Sequence, residues 1–346
     1  MLSAIITKRN LEFAFPAGTS RGTLHEKPSW YIQVKNEHVP DVIGIGECSP
    51  IWGLSPEKEN EYEKQLEYVV SNINSFERLL KTDLLPFPSI YFGLETALLD
   101  LFKGGRRIFF ENAFTDGKEG IKINGLVWMN TVDEMYKQAI QKKAEGFSCI
   151  KIKIGSHKIE DEIKLLEALR SEFGMSTTLR VDANGAFDFT TAKEILSQLK
   201  ELNIHSIEQP LKAGEIDDTK KLCAMNLVPI ALDEELIGIY KTNEKENLIS
   251  ILKPQYIILK PSLHGGFMGC RQWIDIAEKN NCRWWMTSAL ESNIGLNAIA
   301  QFTFQTKNTL HHGLGTGKIY TNNIGSPLTI KGEELWFEPL NNWEQI

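Results

Sequence analysis

Residues 149–154 have the sequence Cys-Ile-Lys-Ile-Lys-Ile, in which three isoleucines alternate with Cys149, Lys151 and Lys153. Successive side chains of a β-strand point to opposite faces, so the isoleucines share one face and both lysines share the other. Lysine is rarely buried without a partner. The stretch therefore predicts a buried strand whose inner face carries two charged groups that need compensation.

Similar short β-rich runs recur along the chain from about residue 121 and alternate with longer helical patterns. This alternation implies parallel strands joined by right-handed crossovers. The runs cover residues 121–127, 149–154, 179–182, 206–208, 229–233, 256–260, 283–287 and 310–313. Eight runs match the strand number of a TIM-type barrel. We therefore expect an α/β fold, with a (β/α)₇β or (β/α)₈ barrel over residues 119–317.

The first 118 residues have a different pattern. Residues 2–14, 29–35 and 42–48 alternate like strands, and residues 56–80 and 89–102 are typical of helices. Strands followed by helices predict a small α+β domain in front of the barrel. The tail, residues 318–346, has no clear helix, and we expect it to return to this first domain.

Each central run ends in a charged residue where a buried strand should be apolar. Asp182, Glu208, Asp233 and Lys260 follow one another at spacings of 26, 25 and 27 residues. Each spacing has the length of one strand, one helix and two loops. The four side chains are therefore expected at equivalent heights on successive strands. The carboxyl ends of barrel strands form the active-site face. A single residue of this kind is often a helix N-cap or a surface charge, but the regular set indicates a site.

Three carboxylates on one face repel one another unless something compensates their charge. A divalent cation does so, and ligation by oxygen alone suits Mg²⁺, for which Mn²⁺ can substitute. Zinc fits less well, because the set contains no cysteine or histidine. Burial and neighbouring positive charge should lower the pKa values of the flanking lysines. A neutral lysine could then remove a proton from the carbon next to a substrate carboxylate.

Composition narrows the classes of function. The 346 residues carry a formal charge of −7, which disfavours nucleic-acid binding. The sequence contains no apolar stretch typical of a membrane span or a signal peptide. Its five cysteines include no CxxC motif, as expected for a reduced, cytoplasmic protein.

Six charged residues carry a resemblance to a known family, namely Lys151, Lys153, Asp182, Glu208, Asp233 and Lys260. In these residues the sequence resembles the enolase superfamily, and within it the muconate-lactonizing subgroup. The resemblance implies that the three acidic residues bind Mg²⁺. It implies that Lys153 is the general base and then the general acid, that Lys260 stabilises an enediolate, and that Lys151 lowers the pKa of Lys153. It also implies that the first domain is an N-terminal α+β capping domain, which closes over the barrel mouth.

Three further stretches, residues 15–22, 287–295 and 313–317, resemble the o-succinylbenzoate synthases of that subgroup. The resemblance implies a Mg²⁺-dependent syn dehydration of 2-succinyl-6-hydroxy-2,4-cyclohexadiene-1-carboxylate through an enediolate. Racemisation of N-succinylamino acids stays an alternative, either as the only activity or as a second one. Muconate cycloisomerase and dipeptide epimerase activities are further alternatives. Dipeptide epimerases usually carry an acidic DxD motif where this chain is glycine-rich, which disfavours a substrate that bears an ammonium group.

We expect a small carboxylate as substrate, with binding candidates Arg21, Asn184, Ser262, Ser288, Gly313, Leu314 and Gly315. Glycines let backbone N–H groups approach an anionic group such as a succinyl carboxylate. The glycine cluster is also typical of a turn, and Ser288-x-x-Glu291 is also a capping-box pattern. Arg180 lies on the inner face by alternation, and we expect it to pair with a site carboxylate. The sequence leaves the oligomeric state open.

Overall fold

The computed structural model describes residues 1–19 and 22–345. Its strands are β1 (Leu2–Thr19), β2 (Gly22–Asn36), β3 (Val39–Cys48), β4 (Ile121–Lys122), β5 (Gly125–Val127), β6 (Cys149–Lys153), β7 (Thr178–Asp182), β8 (Ser206–Glu208), β9 (Ile230–Leu232), β10 (Tyr256–Leu259), β11 (Arg283–Met286), β12 (Leu328–Lys331) and β13 (Glu334–Phe337).

Its helices are α1 (Glu59–Ser71), α2 (Phe76–Arg78), α3 (Pro88–Phe102), α4 (Val132–Ala144), α5 (Ile159–Phe173), α6 (Phe189–Glu201), α7 (Ile216–Met225), α8 (Thr242–Leu252), α9 (Pro261–His264), α10 (Gly266–Lys279) and α11 (Asn293–Gln305). Short 3₁₀ or π turns cover Ile73–Ser75, Leu79–Asp83, Glu234–Leu236 and Gly315–Lys318. None of the helices in the described ranges is both long and apolar enough to cross a membrane.

The first domain is an antiparallel sheet, in the order β1-β2-β3, covered on one face by helices. On β2, Trp30, Ile32 and Val34 point into the same hydrophobic cluster as residues of α1 and α3. Helix α3 approaches β3 closely, because a Cβ on Gly46 would lie 1.9 Å from the carbonyl oxygen of Gly93. This packing leaves the other face of the sheet for the barrel.

The barrel consists of seven parallel strands in the order β5 to β11, closed by the segment of residues 310–313. His312 forms a parallel bridge with Ile123, and Gly313 forms one with Thr287, so this segment joins both edges of the sheet. The predicted eighth run is thus a pair of isolated bridges. One reason is that the N–H of Met286 donates to the imidazole Nδ1 of His312 (3.0 Å) and not to a backbone carbonyl.

The tail contacts both parts of the chain. Tyr320 forms an antiparallel bridge with Phe13 of β1, and the N–H of Ala14 donates to the carbonyl of Ile319 (2.8 Å). Farther on, β12 and β13 form a hairpin, and β13 pairs with β4 in front of the barrel. The hairpin therefore forms a small sheet with β4, next to the first strand of the barrel. The domain boundaries at residues 118 and 317 stay predictions.

Aromatic and apolar side chains fill the barrel below the strand ends, in a cluster that includes Tyr256, Ile258 and Trp285. The guanidinium carbon of Arg180 lies 3.9 Å from the centre of a Trp285 ring, and its Nη1 donates to the carbonyl of His311 (2.8 Å). The expected pairing of Arg180 with a site carboxylate is therefore wrong. Trp285 covers the charge and the closing segment accepts its hydrogen bond.

Two carboxylates of the first domain, the buried Glu47 and the partly buried Glu95, cap barrel helices. Glu47 on β3 accepts hydrogen bonds from the backbone N–H groups of Ser292 and Gly295 (both 2.8 Å) at the start of α11. Glu95 on α3 accepts from two backbone N–H groups at the start of α10 (2.6 and 3.1 Å). Helix N-termini carry unpaired N–H groups and a partial positive charge, which carboxylates satisfy. These contacts fix the first domain on the barrel.

The partly buried position of Glu95 predicts a pH dependence of stability. Burial raises the pKa of Glu95 to about 7, although the N–H groups of α10 act in the opposite direction. The native state therefore binds more protons than the unfolded chain between about pH 4.5 and 7, and this group's contribution to stability falls as the pH rises through that window. We expect the free energy of unfolding of the original chain to fall relative to that of Glu95→Gln as the pH rises from 5 to 8. The expected change in this difference is about 2–3 kcal/mol, measured by urea unfolding at both pH values.

The matched control is Glu61→Gln, which changes an exposed carboxylate of α1. This variant should follow the original chain at both pH values. Equal pH dependence in Glu95→Gln and the original chain would contradict the assignment of the shift to Glu95.

Candidate active site

Charged side chains converge at the carboxyl ends of the strands on one side of the barrel. They are Lys151 and Lys153 on β6, Asp182 at the end of β7, Glu208 at the end of β8, Asp233 after β9 and Lys260 after β10. The strand register pairs Lys153 with Asp182, and Asp182 with Glu208. The structure therefore brings together the six charged residues that the sequence singled out.

Lys151 bridges two of the carboxylates. Its Nζ lies 2.7 Å from both carboxylate oxygens of Glu208 and 2.8 Å from Oδ2 of Asp182. Lys153 donates to the same oxygen of Asp182 (2.8 Å) and to Oδ1 of Asn184 (2.6 Å). The two carboxylates thus share the ammonium group of Lys151, which offsets part of their repulsion. Burial and the charge of Asp182 still raise the pKa of Glu208 to about 8.

Lys260 and Asp233 form a second ion pair at the ends of β9 and β10. Oδ2 of Asp233 binds the ammonium group, whereas the buried Oδ1 has no hydrogen-bond partner. The N–H of Lys260 donates to Nδ1 of the buried His264 (3.0 Å), which fixes the backbone at the strand end. A buried carboxylate oxygen without a partner is uncommon and calls for a cation or a water.

The carboxylates determine the direction of the lysine pKa shifts. Burial alone would lower the pKa of Lys151, but Asp182 and Glu208 outweigh it and raise the pKa. The pKa of Lys260 is raised in the same way, against burial, mainly by Asp233. The nearest charged partners of Lys151 and Lys260 are carboxylates, so both side chains are held as ammonium groups, as the resemblance implies for Lys260.

Asn184 connects this cluster to a residue that the sequence reasoning missed. Its backbone has a φ of 44°, a left-handed conformation that asparagine tolerates better than most residues. Its side chain accepts from Lys153 and donates to Oε1 of Glu234 (2.9 Å). Glu234 directly follows Asp233. A second acidic residue at the same strand end is the sequence feature that could have identified it. Burial and the charge of Asp233 raise the pKa of Glu234.

Two serine candidates bind other protein groups. The hydroxyl of Ser262 donates to the carboxylate of Glu291, and the hydroxyl of Ser288 lies 2.7 Å from that of Thr316. Helix α11 has Ser292 as its N-cap residue. The capping-box interpretation of Ser288 and Glu291 is therefore wrong, because the helix begins farther along the chain and Glu291 binds Ser262.

The glycine-rich candidates lie in the segment that closes the barrel. A Cβ on Gly313 would lie 2.6 Å from Oγ1 of Thr287, so this glycine allows close packing against the residue that follows β11. Leu314 is fully buried in the hydrophobic core, which leaves its side chain inaccessible to a substrate. Gly315 begins a 3₁₀ turn. Arg21 lies outside the described residues.

The acidic residues fit a divalent cation in their chemistry. Asp182, Glu208 and Asp233 supply only oxygen donors, which a hard cation prefers. Within residues 1–19 and 22–345, however, no three acidic, histidine or cysteine side chains already form a metal-binding group. Lys151, Lys153 and Lys260 hold these carboxylates in the present arrangement. The unpaired Oδ1 of Asp233 is available as a ligand.

Comparison with known proteins adds an independent line of evidence. Residues 134–336 match the family model described as Enolase C-terminal domain-like. An o-succinylbenzoate synthase from Desulfotalea psychrophila is 39% identical to this chain, over 94% of the chain and 96% of that protein. The similarity therefore extends over both the first domain and the barrel.

Solved structures agree with this likeness. The crystal structure of MenC from Desulfotalea psychrophila has a TM-score of 0.86 and 35% identity, and covers 97% of this chain and 99% of its own. A dipeptide epimerase from Cytophaga hutchinsonii, complexed with Mg and D-Ala-L-Val, has a TM-score of 0.84 over 99% and 96% of the two chains. It is 22% identical, so it shows the fold alone. The predicted fold class, a TIM-type barrel with an N-terminal α+β domain, is confirmed.

The bridging position of Lys151 predicts a large loss of stability when it is replaced. In Lys151→Met, the buried carboxylates of Asp182 and Glu208 lose the ammonium group between them. We expect the free energy of unfolding to fall by about 3–5 kcal/mol, measured by urea unfolding without added metal. The control, Lys164→Met, removes an exposed ion pair with Asp161 and should cost less than about 1 kcal/mol. Similar losses in both variants would contradict this account of the cluster.

Proposed function

The chain belongs to the family of enolase C-terminal domain-like proteins (the enolase superfamily), and on this premise we propose that it is a Mg²⁺-dependent o-succinylbenzoate-forming lyase. Its substrate is then 2-succinyl-6-hydroxy-2,4-cyclohexadiene-1-carboxylate. The 39% identity to an o-succinylbenzoate synthase, over nearly the whole of both chains, supports this assignment.

The observation that carries the proposal is the position of two lysines on opposite sides of the barrel mouth. Lys153 is on β6 and Lys260 follows β10, and three strands with carboxylates at their ends lie between them. Four strand positions separate β6 from β10, which is half of the closed barrel. A substrate bound against the carboxylate ends therefore has one lysine at each face.

In the proposed reaction, Lys153 is the general base and takes the proton from the ring carbon that bears the carboxylate. The electron pair of that C–H bond moves into the carboxylate, and an enediolate forms. The protonated Lys153 then gives its proton to the hydroxyl group on the same face, the C–O bond breaks, and water leaves. The product ring is aromatic, so the step is downhill.

Lys260 acts from the opposite face in this scheme. Its ammonium group is held by Asp233, and its charge stabilises the negative charge that develops on the carboxylate oxygens. A Mg²⁺ or Mn²⁺ ion held by Asp182, Glu208 and Asp233 would supply additional Lewis-acid stabilisation of those oxygens. Asn184, which binds Lys153, is proposed to keep that amine in place.

The test is turnover of the cyclohexadiene carboxylate by the purified chain, followed as formation of o-succinylbenzoate with Mg²⁺ and with a chelator. We expect chelator-sensitive turnover, and a loss of about 10³-fold or more in kcat for Lys153→Ala and for Lys260→Ala. Lys164→Ala, on the exposed face of α5, is the control. Absence of turnover in the folded, Mg²⁺-loaded chain would reject the assignment, and activity in both lysine variants would reject their roles.

Racemisation of N-succinylamino acids is the second candidate, favoured by the same two lysines, because proton transfer at both faces inverts a carbon centre. Exchange of the α-proton in D₂O separates the two activities. A racemase exchanges the proton from both enantiomers, whereas a synthase without this second activity exchanges neither.

Asp233 provides a test of the proposed metal ligands. Asp233→Asn replaces one oxygen of the carboxylate by an amide, which weakens binding of a divalent cation. We expect the Kd for Mg²⁺ to rise at least about tenfold, measured by titration calorimetry. Asp161→Asn, at the start of α5, should leave the Kd unchanged. An unchanged Kd in Asp233→Asn would exclude this residue as a ligand.

A further inference from the structure

Lys27 is a buried lysine on the face of the first-domain sheet that points to the barrel. Alternation along β2 places Lys27, Ser29 and Tyr31 on one face, opposite the face that packs against α1 and α3. Tyr31 packs with Ile294 of α11, which shows that this face meets the barrel. Lys27 has only 3% of its surface exposed.

A chain of hydrogen bonds runs from Lys27 to the start of α11. The ammonium group donates to the hydroxyl of Ser49, which lies 2.8 Å from the hydroxyl of Ser29. Ser29 donates to Oε1 of Glu47 (2.8 Å), and Glu47 accepts from the backbone and hydroxyl of Ser292. Lys27 is thus connected to the loop that follows β11.

A second buried carboxylate, Glu291, lies next to Glu47, because a Cβ on Gly295 would lie 2.7 Å from Cβ of Glu291 and 3.0 Å from Oε2 of Glu47. It accepts from Ser262, which lies two residues after Lys260, so it joins the loops that follow β10 and β11. The residue before it, Leu290, has a φ of 60°, a strained conformation for a residue with a side chain. The loop therefore needs fixed partners to keep Glu291 in place.

Lys27 is held at a cost to folding. Burial lowers the pKa of Lys27 to about 8, although Glu47 and Glu291, the charged groups that face it, act in the opposite direction. Between about pH 8 and 10.5 the unfolded chain binds more protons than the native state, so this group's contribution to stability rises with pH. A buried apolar side chain would avoid this penalty. The hydrogen-bonded connection through Ser49, Ser29 and Glu47 to the loop after β11 points to a role for this charge in the site.

We propose that Lys27 is a positioning residue for the reaction. Its ammonium group offsets the charges of Glu47 and Glu291 and so holds the loops after β10 and β11 beside Lys260. The inference rests on the proposed function, because the loops matter only if Lys260 acts on a substrate at the barrel mouth. It assigns to the first domain a direct influence on the geometry around Lys260.

The test compares Lys27→Met with Lys35→Met, an exposed lysine on the same strand. We expect Lys27→Met to lower kcat/KM about tenfold or more, because small displacements of groups around the reacting atoms have large effects. Its Tm should equal or exceed that of the original chain. Unchanged kcat/KM would overturn the proposal, and so would a lower Tm or a failure to fold, which would indicate a structural role.

The variant Lys27→Arg tests the charge of this residue through the pH dependence of kcat/KM, which a purely structural role would leave unchanged. The guanidinium group stays charged above pH 8, whereas the ammonium group of Lys27 loses its proton there. We expect the ratio of kcat/KM at pH 9 to that at pH 7 to be higher in Lys27→Arg than in the original chain. Equal ratios would overturn the proposal.

Hydrogen exchange without substrate separates this inference from the proposed function. Residues 287–295 should exchange faster in Lys27→Met than in Lys35→Met, whatever the substrate is. If the original chain does not turn over the cyclohexadiene carboxylate, the proposed function fails, while faster exchange still supports the contact between Lys27 and the loop. Equal exchange rates would overturn the role of Lys27.

Discussion

Charge compensation at the carboxyl ends of the barrel strands is the constraint on which the rest of the site depends. Asp182 and Glu208 lie side by side on neighbouring strands, and both are almost completely buried. A cation between the two members relieves their repulsion, and Lys151 supplies it here. The same carboxylates that hold the lysines are the oxygen donors that a divalent cation would use. In the proposed site, a divalent cation would therefore compete with the lysines for the same oxygens.

Charge compensation of carboxylates also connects the first domain to the barrel. Glu47 and Glu95 bring carboxylates from the sheet and from α3 to the starts of two barrel helices. Unpaired N–H groups, not lysines, are their main partners. Because these helices follow the loops after β10 and β11, the contacts fix the first domain beside the segments that carry Lys260 and Glu291. The domain interface and the active site are thus parts of one electrostatic arrangement.

The sequence predicted what depends on local periodicity. Alternation placed Lys151 and Lys153 on one face, and regular spacing placed Asp182, Glu208 and Asp233 at neighbouring strand ends. It failed where a partner lies far away in the chain. Arg180 has the right alternation, but the aromatic ring of Trp285, about a hundred residues later, covers its charge.

Long-range partners also explain the remaining misses. Nothing near Glu291 in the sequence shows that Ser262 binds it, so a local capping pattern was an equally good interpretation. Lys27 looks like an ordinary strand lysine until the barrel covers it. Its pKa falls, whereas the pKa of Lys151 rises, although both are buried. The difference is that Lys151 touches two carboxylates and Lys27 touches a hydroxyl. The direction of the pKa shift of a buried lysine therefore reflects its nearest partners, since carboxylates raise it at Lys151 and burial against a hydroxyl lowers it at Lys27.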